Sequence, residues 1–462
     1  MSLSFLSEEL ESKRVIDYVI SLTDFIAKFS WIYDFKLTRF LQDKAYDRLP
    51  DEWKDTLISL SVEELNELPF GLIQEKWPES FKHFISEATS LLTQSSDVRK
   101  CKKLEVESVC LSEKIKRGMK AKKVHEVERM VSFVGALCRE KEIKHVVDVG
   151  SGLGYLGQAL SSQFGLKVLG LESVETRCRA ASRRQERLLS GSQTEIETTT
   201  VNFAVNDVDK NVSEFHDMLR RFSGIRGERG NPVCLLGLHC CGDLTPLMLK
   251  RFTECCPSKS VLVCIGCCYH RMSTTDKEQF RYFPMSAGVK SVVDDIKTKY
   301  PAWSLNVFAL RLAAQETRTR WREQTAFDHD LHMKRVAFRA VLETALESEG
   351  NVRLHKVIKD EDCATFQSYI TAALIHLDHS MCSEKHDTYE KACLASYQTF
   401  EPHFCLVEPF TALQVLIQPL LESLIITDRL IYLIENGNSS KMIAMFNDII
   451  SPRYIALVAT KH

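Results

Sequence analysis

The sequence has no excess of charge of either sign and few residues that break regular structure. Its 60 lysines and arginines nearly balance 62 aspartates and glutamates, which leaves a formal net charge of −2. This balance excludes a protein coated with basic residues, so any nucleic acid must bind a local basic patch. Only 19 glycines and 12 prolines occur among 462 residues, of which 44% are hydrophobic. These proportions exclude a disordered or fibrous chain and predict about two or three globular domains.

The sequence also lacks the patterns of membrane insertion and secretion. The longest apolar stretch, residues 413–434, is interrupted by Gln418, Pro419, Glu422, Asp428 and Arg429. Because these charges are central, the stretch predicts a packed helix and no membrane partner. Residues 1–9 become acidic before an apolar core develops, which argues against a secretory signal. The 16 cysteines are then expected to be free thiols in a soluble cytoplasmic or nuclear protein.

Apolar periodicity divides the chain into four regions. Residues 1–110 predict a helical domain, and the polar residues at its end predict a linker or exposed hairpin. Residues 111–272 alternate helices with strands, which predicts a parallel sheet covered by helices on both faces. Residues 273–400 predict a mostly helical insertion. Residues 401–462 predict a long helix and the last strands of the same sheet, so the fold class is α/β.

The most informative segment runs from Asp148 to Gly154, directly after a predicted buried strand. Its alternating glycines permit positive φ angles and let a ligand approach the backbone. The helix predicted from Tyr155 then presents its N-terminus to a polar or anionic ligand. A nucleotide-type ligand is therefore expected at this loop.

Two cofactors fit the glycine spacing. Gly152-x-Gly154-x-x-Gly157, with Glu172 at the end of the second strand, satisfies the dinucleotide pattern of an NAD(P)-dependent oxidoreductase. Asp148-x-Gly150-x-Gly152-x-Gly154 is instead the arrangement associated with S-adenosylmethionine. We favour the second reading, because a helix precedes the first strand and the fourth strand ends in polar residues.

Each candidate cofactor-binding residue would contact a different part of S-adenosylmethionine. Asp148 would accept from the ammonium of the methionine end, and Glu172 from the ribose hydroxyls. Asp207, after the third strand, would contact the adenine amine. The loop positions Gly150, Ser151, Gly152 and Gly154, together with His239, complete the predicted cofactor site.

Several separate motifs, in order along the chain, resemble the methyltransferase-like protein 25 family. They are Lys122-Lys123-x-His125-Glu126, Asp148-Val149-Gly150-Ser151-Gly152, Gly237-Leu238-His239-x-Cys241-Gly242-Asp243-Leu244, Gly266-Cys267-Cys268-Tyr269, Asp428-Arg429-x-x-Tyr432-Leu433 and Ser451-Pro452-Arg453. The resemblance implies an S-adenosylmethionine-dependent methyltransferase with a Rossmann-like class I methyltransferase sheet. The domain is also distantly similar to tRNA 2′-O-methyltransferases, but it lacks their Cys/His zinc-finger segments and has Tyr269 where they have histidine.

Candidate catalytic residues lie where the fourth and fifth strands end. His239 is the first choice for a general base, with orientation of its loop as the alternative. Asp243 is a second candidate, although it is well placed to cap the following helix. Tyr269 and His270 are expected to line the pocket of the methyl acceptor, Tyr269 as a catalytic residue and His270 as a substrate contact.

Basic residues before the first strand are the candidate substrate contacts. Lys122, Lys123 and His125 could neutralise a phosphate, which fits an RNA substrate, or could bind an acidic protein surface. The acceptor is therefore predicted to be RNA or an RNA-associated protein. The alternatives are another protein or a small molecule, a cofactor-binding module without catalysis and, last, the oxidoreductase.

The cysteines near these strands predict no metal site. Three adjacent pairs occur, but zinc ligands are usually spaced as Cys-x₂₋₄-Cys, because neighbouring side chains on a strand point to opposite faces. Cys264 and Cys267 have the required spacing, yet they belong to a strand that should be buried, where thiols act as small hydrophobes.

Overall fold

The computed structural model describes residues 3–99, 102–103, 108–190, 196–224, 230–276, 279–315, 317–348, 358–375 and 383–462. Within them one sheet is formed by β1 (Lys102–Lys103), β2 (His145–Val149), β3 (Lys167–Glu172), β4 (Thr198–Asn202), β5 (Val233–Cys240), β6 (Val261–Gly266), β7 (Asn438–Ala444) and β8 (Ile455–Lys461). The strand order across the sheet is β1-β7-β8-β6-β5-β2-β3-β4. β8 is antiparallel to both β6 and β7, and the other paired strands are parallel. The predicted α/β fold class is confirmed.

The N-terminal helices are α1 (Leu3–Lys28), α2 (Asp51–Ile58), α3 (Val62–Glu67) and α4 (Glu79–Arg99). The sheet is accompanied by α5 (Glu113–Lys116), α6 (Ala121–Glu140), α7 (Tyr155–Phe164), α8 (Glu175–Leu189), α9 (Asp209–Ser223) and α10 (Leu244–Cys255). The region before the last strands contains α11 (Ala287–Lys299), α12 (Val307–Ala313), α13 (Arg318–Arg322), α14 (Ala326–Ser348), α15 (Phe366–Leu374), α16 (Ser383–Phe400) and α17 (Val407–Glu435).

The central strand β2 is buried on both faces, as expected of a parallel sheet between helices. Val146 packs into the hydrophobic cluster on one face, and Val147 into the cluster on the other. Alternation of side chains along the strand accounts for this division. Asp148, the next residue, is therefore carried into the interior at the carboxyl end of the sheet.

The N-terminal helices and the inserted helices share one hydrophobic core. Phe25, Phe84, Val341, Ile370 and Phe410 all belong to the same cluster of buried residues. α17 runs through this helical body and then enters β7, so it joins the body to the sheet. The domain boundaries predicted from the sequence stay a prediction, but the first and third regions pack as one unit.

The polar segment that was predicted to be a linker or exposed hairpin has a different structure. Residues 93–99 continue α4, and Lys102–Lys103 pairs in parallel with β7 at the edge of the sheet. The interpretation as an exposed hairpin was wrong, because the polar residues lie on a helix rather than in a loop.

The stretch Thr388–Glu435 is long and apolar enough to cross a membrane by length and composition, and 83% of its most apolar window is buried inside the protein. Such burial is also found in the core helices of soluble proteins.

Candidate functional site

The glycine loop between β2 and α7 has the conformation that its sequence requires. Gly150, Gly152 and Gly154 have φ angles of +75°, +58° and +74°, in the left-handed region that favours glycine. A Cβ atom on Gly152 would meet no atom of the described structure within 4 Å. The loop therefore offers open backbone to a ligand.

A cavity of about 280 Å³ opens beside this loop. It is lined by Lys123, Asp148, Gly150, Ser151, Gly152, Leu153, Tyr155, Leu156, Arg177 and Leu238. The hydroxyl of Ser151 is buried and has no hydrogen-bond partner within the described part of the chain. The side chains of Lys123, Asp148 and Arg177 in the lining make the cavity suited to a polar ligand.

Opposite charges face each other within the cavity lining. Asp148 is only 3% exposed, and burial raises its pKa to about 7, against the opposing effect of Lys123. Burial also disfavours the charged form of Lys123 and lowers its pKa, despite the neighbouring carboxylates of Glu126 and Asp148. A zwitterionic ligand end, with one cation and one carboxylate, matches this pair of side chains.

Glu172 lies beside the loop at the end of β3. Its carboxylate accepts hydrogen bonds from the backbone N–H groups of Gly152, at 2.9 Å, and Val174, at 3.0 Å. Arg177 lies 3.6 Å away and is itself part of the cavity lining. Glu172 thus fixes the glycine loop, and each carboxylate oxygen keeps a further acceptor site for a ligand hydroxyl.

Asp207 is not brought to this cavity. Its carboxylate accepts from Lys250 Nζ at 2.7 Å and from the Tyr282 hydroxyl at 3.2 Å. Asp207 is absent from the cavity lining, and its carboxylate is occupied by these partners on α10 and on the segment after β6. The proposed contact between Asp207 and adenine therefore lacks support from the structure.

His239 forms a polar network with Glu126, a residue of α6 that was not chosen as a site residue from the sequence. His239 Nε2 lies 2.9 Å from Glu126 Oε1, and the Ser451 hydroxyl donates to the same oxygen at 2.8 Å. Lys122 Nζ lies 3.8 Å from it. Burial opposes ionisation of Glu126, but the hydrogen bond and charge of His239, with the bond from Ser451, hold its pKa below the usual value.

The backbone at His239 is unusual. Its φ angle is +65°, which is uncommon for a residue with a side chain and is often found at functional sites. The neighbouring residue Leu238 lines the cavity at the glycine loop. The conformation turns the half-buried imidazole towards Glu126 at the carboxyl end of the sheet.

Two of the proposed catalytic residues make structural hydrogen bonds. Asp243 Oδ1 accepts from the backbone N–H of Ser273 at 2.8 Å, and its side chain makes no capping bond to α10. Tyr269 is 2% exposed, and its hydroxyl donates to Glu422 at 3.0 Å. Burial raises the pKa of Tyr269, and the Glu422 charge adds to that effect. The Tyr269 side chain is therefore not available to a methyl acceptor, and its assignment is corrected. Asp243 is partly exposed, and its assignment stays a prediction.

The two remaining histidines differ in their contacts. His125 Nε2 accepts from the backbone N–H of Asn447 at 3.1 Å, and its ring meets the edge of Phe446. His125 thus fixes the segment after β7. His270 is half-buried, and its Nδ1 has no hydrogen-bond partner within the described residues. Burial, together with the charges of Arg311 and Arg271, lowers the pKa of His270.

A second, basic cavity of about 510 Å³ adjoins the first. We call it the basic groove, and it is lined by Lys114, Arg117, Gly118, Leu153, Tyr155, Ala180, Arg183, Arg184, Arg187 and Leu188. No acidic residue is among them, and Leu153 and Tyr155 line both cavities. Arg184 lies over the Tyr155 ring, 4.2 Å from its centre.

Three thiols also meet at the carboxyl end of the sheet. Cys241 Sγ lies 2.9 Å from Cys267 Sγ and 3.6 Å from Cys268 Sγ. Hydrogen bonding with Cys267 lowers the pKa of Cys241, with burial opposing and Cys268 assisting. The spacing argument singled out Cys264 with Cys267, whereas Cys264 has Cys240 as its neighbour.

Comparison with known proteins agrees with this geometry. A family model described as a methyltransferase domain matches residues 122–275. The chain is 23% identical over 472 residues to the probable methyltransferase-like protein 25 of Mus musculus, which covers 74% of this chain and 75% of that protein. Its Homo sapiens counterpart is 23% identical over 471 residues, with the same two shares.

Solved methyltransferase structures are more distant. Magnesium protoporphyrin IX methyltransferase from Synechocystis PCC 6803, with bound SAH, is 14% identical over 42% of this chain and 74% of that chain, with a TM-score of 0.23. An O-methyltransferase from Bacillus cereus, in complex with SAH, is 12% identical over 41% of this chain and 81% of that chain, with a TM-score of 0.26.

Proposed function

Since the chain carries a methyltransferase domain and is similar to methyltransferase-like protein 25 over 74% of its length, we propose that it is an S-adenosylmethionine-dependent methyltransferase whose acceptor is RNA. The observation that carries the cofactor assignment is the buried Asp148 beside Lys123 in the cavity at the glycine loop. The observation that supports an RNA acceptor is the basic groove next to that cavity.

The residues of the cavity suit the parts of this cofactor. Asp148 would accept from the methionine ammonium, and Lys123 would pair with the methionine carboxylate. Glu172 would accept from the ribose hydroxyls, while Gly152 leaves room for close approach. When bound, the cofactor supplies a methyl group on a sulfonium, already activated for transfer. Lys123, predicted as a substrate contact, is therefore reassigned to the cofactor.

The same charges disfavour a dinucleotide. In dinucleotide-binding folds the glycine loop holds the pyrophosphate at a helix N-terminus. Here Asp148 lines the cavity at that loop, and its carboxylate, when ionised, repels a pyrophosphate. The antiparallel strand β8, inserted between β6 and β7, also differs from the dinucleotide strand order 3-2-1-4-5-6.

His239 is the residue best placed to take a proton from the acceptor. Glu126 lies 2.9 Å from its Nε2 atom and would stabilise the imidazolium that proton removal creates. Ser451, which donates to the same Glu126 oxygen, restricts the position of that carboxylate. His239 is thus the proposed general base, and Glu126 its positioning residue.

RNA is favoured over an acidic peptide by the shape and charge of the basic groove. Arg183 and Arg187 are exposed one helical turn apart on α8, which suits successive phosphates along a backbone. Arg184 and Lys114 instead donate to backbone carbonyls, so they build the wall of the groove.

In the decisive experiment the protein is incubated with labelled S-adenosylmethionine and with fractionated cell RNA and protein, and the label in each fraction is measured. We expect label in RNA, and we expect the doubly charge-reversed variant Arg183→Glu/Arg187→Glu to lose most of it. The matched control reverses Arg220 and Arg221, which are also exposed, on α9. Label only in the protein fraction would refute the RNA assignment, whereas titration that detects NADH binding without S-adenosylhomocysteine binding would refute the cofactor assignment.

A further inference from the structure

Two loops bring three cysteine sulfurs into one cluster, which we call the thiol cluster. Cys241 follows β5, and Cys267 and Cys268 follow β6. The three Sγ atoms all lie within 4.8 Å of one another. Cys241 and Cys268 are partly exposed, so the cluster can be reached from solvent.

The usual argument against neighbouring cysteines as ligands does not hold at this position. Side chains alternate between faces only along a strand, and β6 ends at Gly266. The chain then turns at Cys268, with φ and ψ of −76° and 71°, into a short helix. Both sulfurs can therefore approach the third thiol of the cluster.

The two loops are held together by their backbones. The N–H of Gly242 donates to the carbonyl of Cys268 at 3.2 Å. A Cβ atom on Gly242 would lie 2.5 Å from the carbonyl oxygen of Arg271, so a larger residue would force the loops apart. This close contact fixes the thiol cluster before any ligand arrives.

From this geometry we propose that Cys241, Cys267 and Cys268 bind one Zn²⁺ ion at the edge of the methyltransferase site. Tetrahedral zinc has Zn–S distances of about 2.3 Å, which places neighbouring sulfurs about 3.8 Å apart. The sulfur separations of 2.9 and 3.6 Å would widen by about 0.9 and 0.2 Å to reach that value.

Thiolates select soft or borderline metals, and zinc with three protein ligands keeps a fourth position open. When zinc is bound all three ligands are thiolates, which leaves a net charge of −1 on the zinc and its three sulfurs. The guanidinium of Arg271 acts on Cys268, so it offsets part of that charge. The open position would take water or an acceptor group.

Metal content and thiol protection test this site in the full chain. The protein is purified with a phosphine reductant and no chelator, loaded with Zn²⁺, and freed of excess metal. We expect about one zinc per chain, and we expect zinc to slow alkylation of Cys241 and Cys268. Cys405, which is exposed and outside the cluster, serves as the internal control and should react at an unchanged rate.

Single substitutions test whether zinc binds at the thiol cluster or elsewhere in the protein. Cys241→Ser and Cys268→Ser should each weaken zinc binding by more than about 100-fold, since even an outer-shell change costs up to about that much. Cys405→Ser should retain the metal. Zinc below about one tenth per chain after loading, or a Cys241–Cys267 disulfide that persists in reductant, would overturn the proposal. S-adenosylhomocysteine titration of the same variants shows separately whether the cofactor site is intact.

Discussion

The substitution Asp148→Asn tests the central claim about the cofactor cavity. It keeps the shape of the side chain and removes its charge. We expect two opposite effects: loss of cofactor binding and a more stable ligand-free protein. Both effects are expected because the buried Asp148 carboxylate binds the cation of the ligand but destabilises the ligand-free fold.

The magnitude follows from the shift of the Asp148 pKa from 3.8 to about 7. A shift of about 3 units corresponds to about 4 kcal/mol of penalty for the ionised form in the folded state. Below the unfolded pKa, Asp148 is protonated in both states and costs nothing. As pH rises from about 4 to about 7 the unfolded state loses its proton first, so folding stability falls, and the full penalty is present above about pH 7. The stability advantage of the variant should therefore grow by roughly 2–3 kcal/mol between about pH 5 and about pH 8.

Urea unfolding over this pH range, with titration of S-adenosylhomocysteine, measures both effects. Loss of a charged hydrogen bond should weaken binding by at least about 10-fold. Asp207→Asn is the matched control, and its expected change in folding stability has the opposite sign. Partial burial opposes ionisation of Asp207, but Lys250 and Tyr282 lower its pKa, so its variant should lose stability above the unfolded pKa. Unchanged binding by Asp148→Asn, together with a flat pH dependence of its stability advantage, would refute the reasoning.

Three other predictions concern the base, the groove and the buried charges. His239→Ala should leave S-adenosylhomocysteine affinity within about twofold and lower turnover by at least about 100-fold; loss of affinity would contradict its role as a base. Arg183→Glu with Arg187→Glu should reduce the salt dependence of RNA binding by about 0.7 per lost phosphate contact on a log–log plot, and an unchanged slope would exclude the groove. Arg453→Met should destabilise the protein by about 3–5 kcal/mol in urea, because it leaves Glu422 buried without its partner at 2.6 Å. Equal stability of the wild type and this variant would show that Glu422 is protonated or hydrated.

The sheet could be predicted from the sequence because buried parallel strands have a local signature. β2 and β3 have the bounds His145–Val149 and Lys167–Glu172 that their apolar, β-branched runs indicate. The glycine loop was equally predictable, since positive φ angles limit the residues that can occupy it. Both features depend on a few consecutive residues.

The chemistry at the edge of the sheet depends on contacts between distant residues, and the sequence did not identify it. His239 and Glu126 are 113 positions apart, and Tyr269 and Glu422 are 153 apart. Spacing rules could find neither partner. Glu126 was visible in a motif beside the basic residues, but nothing local distinguished its carboxylate from one exposed on a helix. The thiol cluster was missed for a related reason, because the rule of alternating faces was applied beyond the end of β6.

The buried ionic contacts explain why the helical body belongs to the site. Glu422 lies on α17 in that body, Arg453 precedes β8, and Tyr269 follows the thiol cluster. Arg453 donates to Glu422, which also accepts from Tyr269, and Arg453 further donates to the carbonyls of Ala313 and Gln315. Buried charges are tolerated only when their partners are in place. These contacts couple the loop after β6 to the helices of the insertion, so we expect changes within that insertion to alter the thiol cluster and the acceptor side without touching the glycine loop.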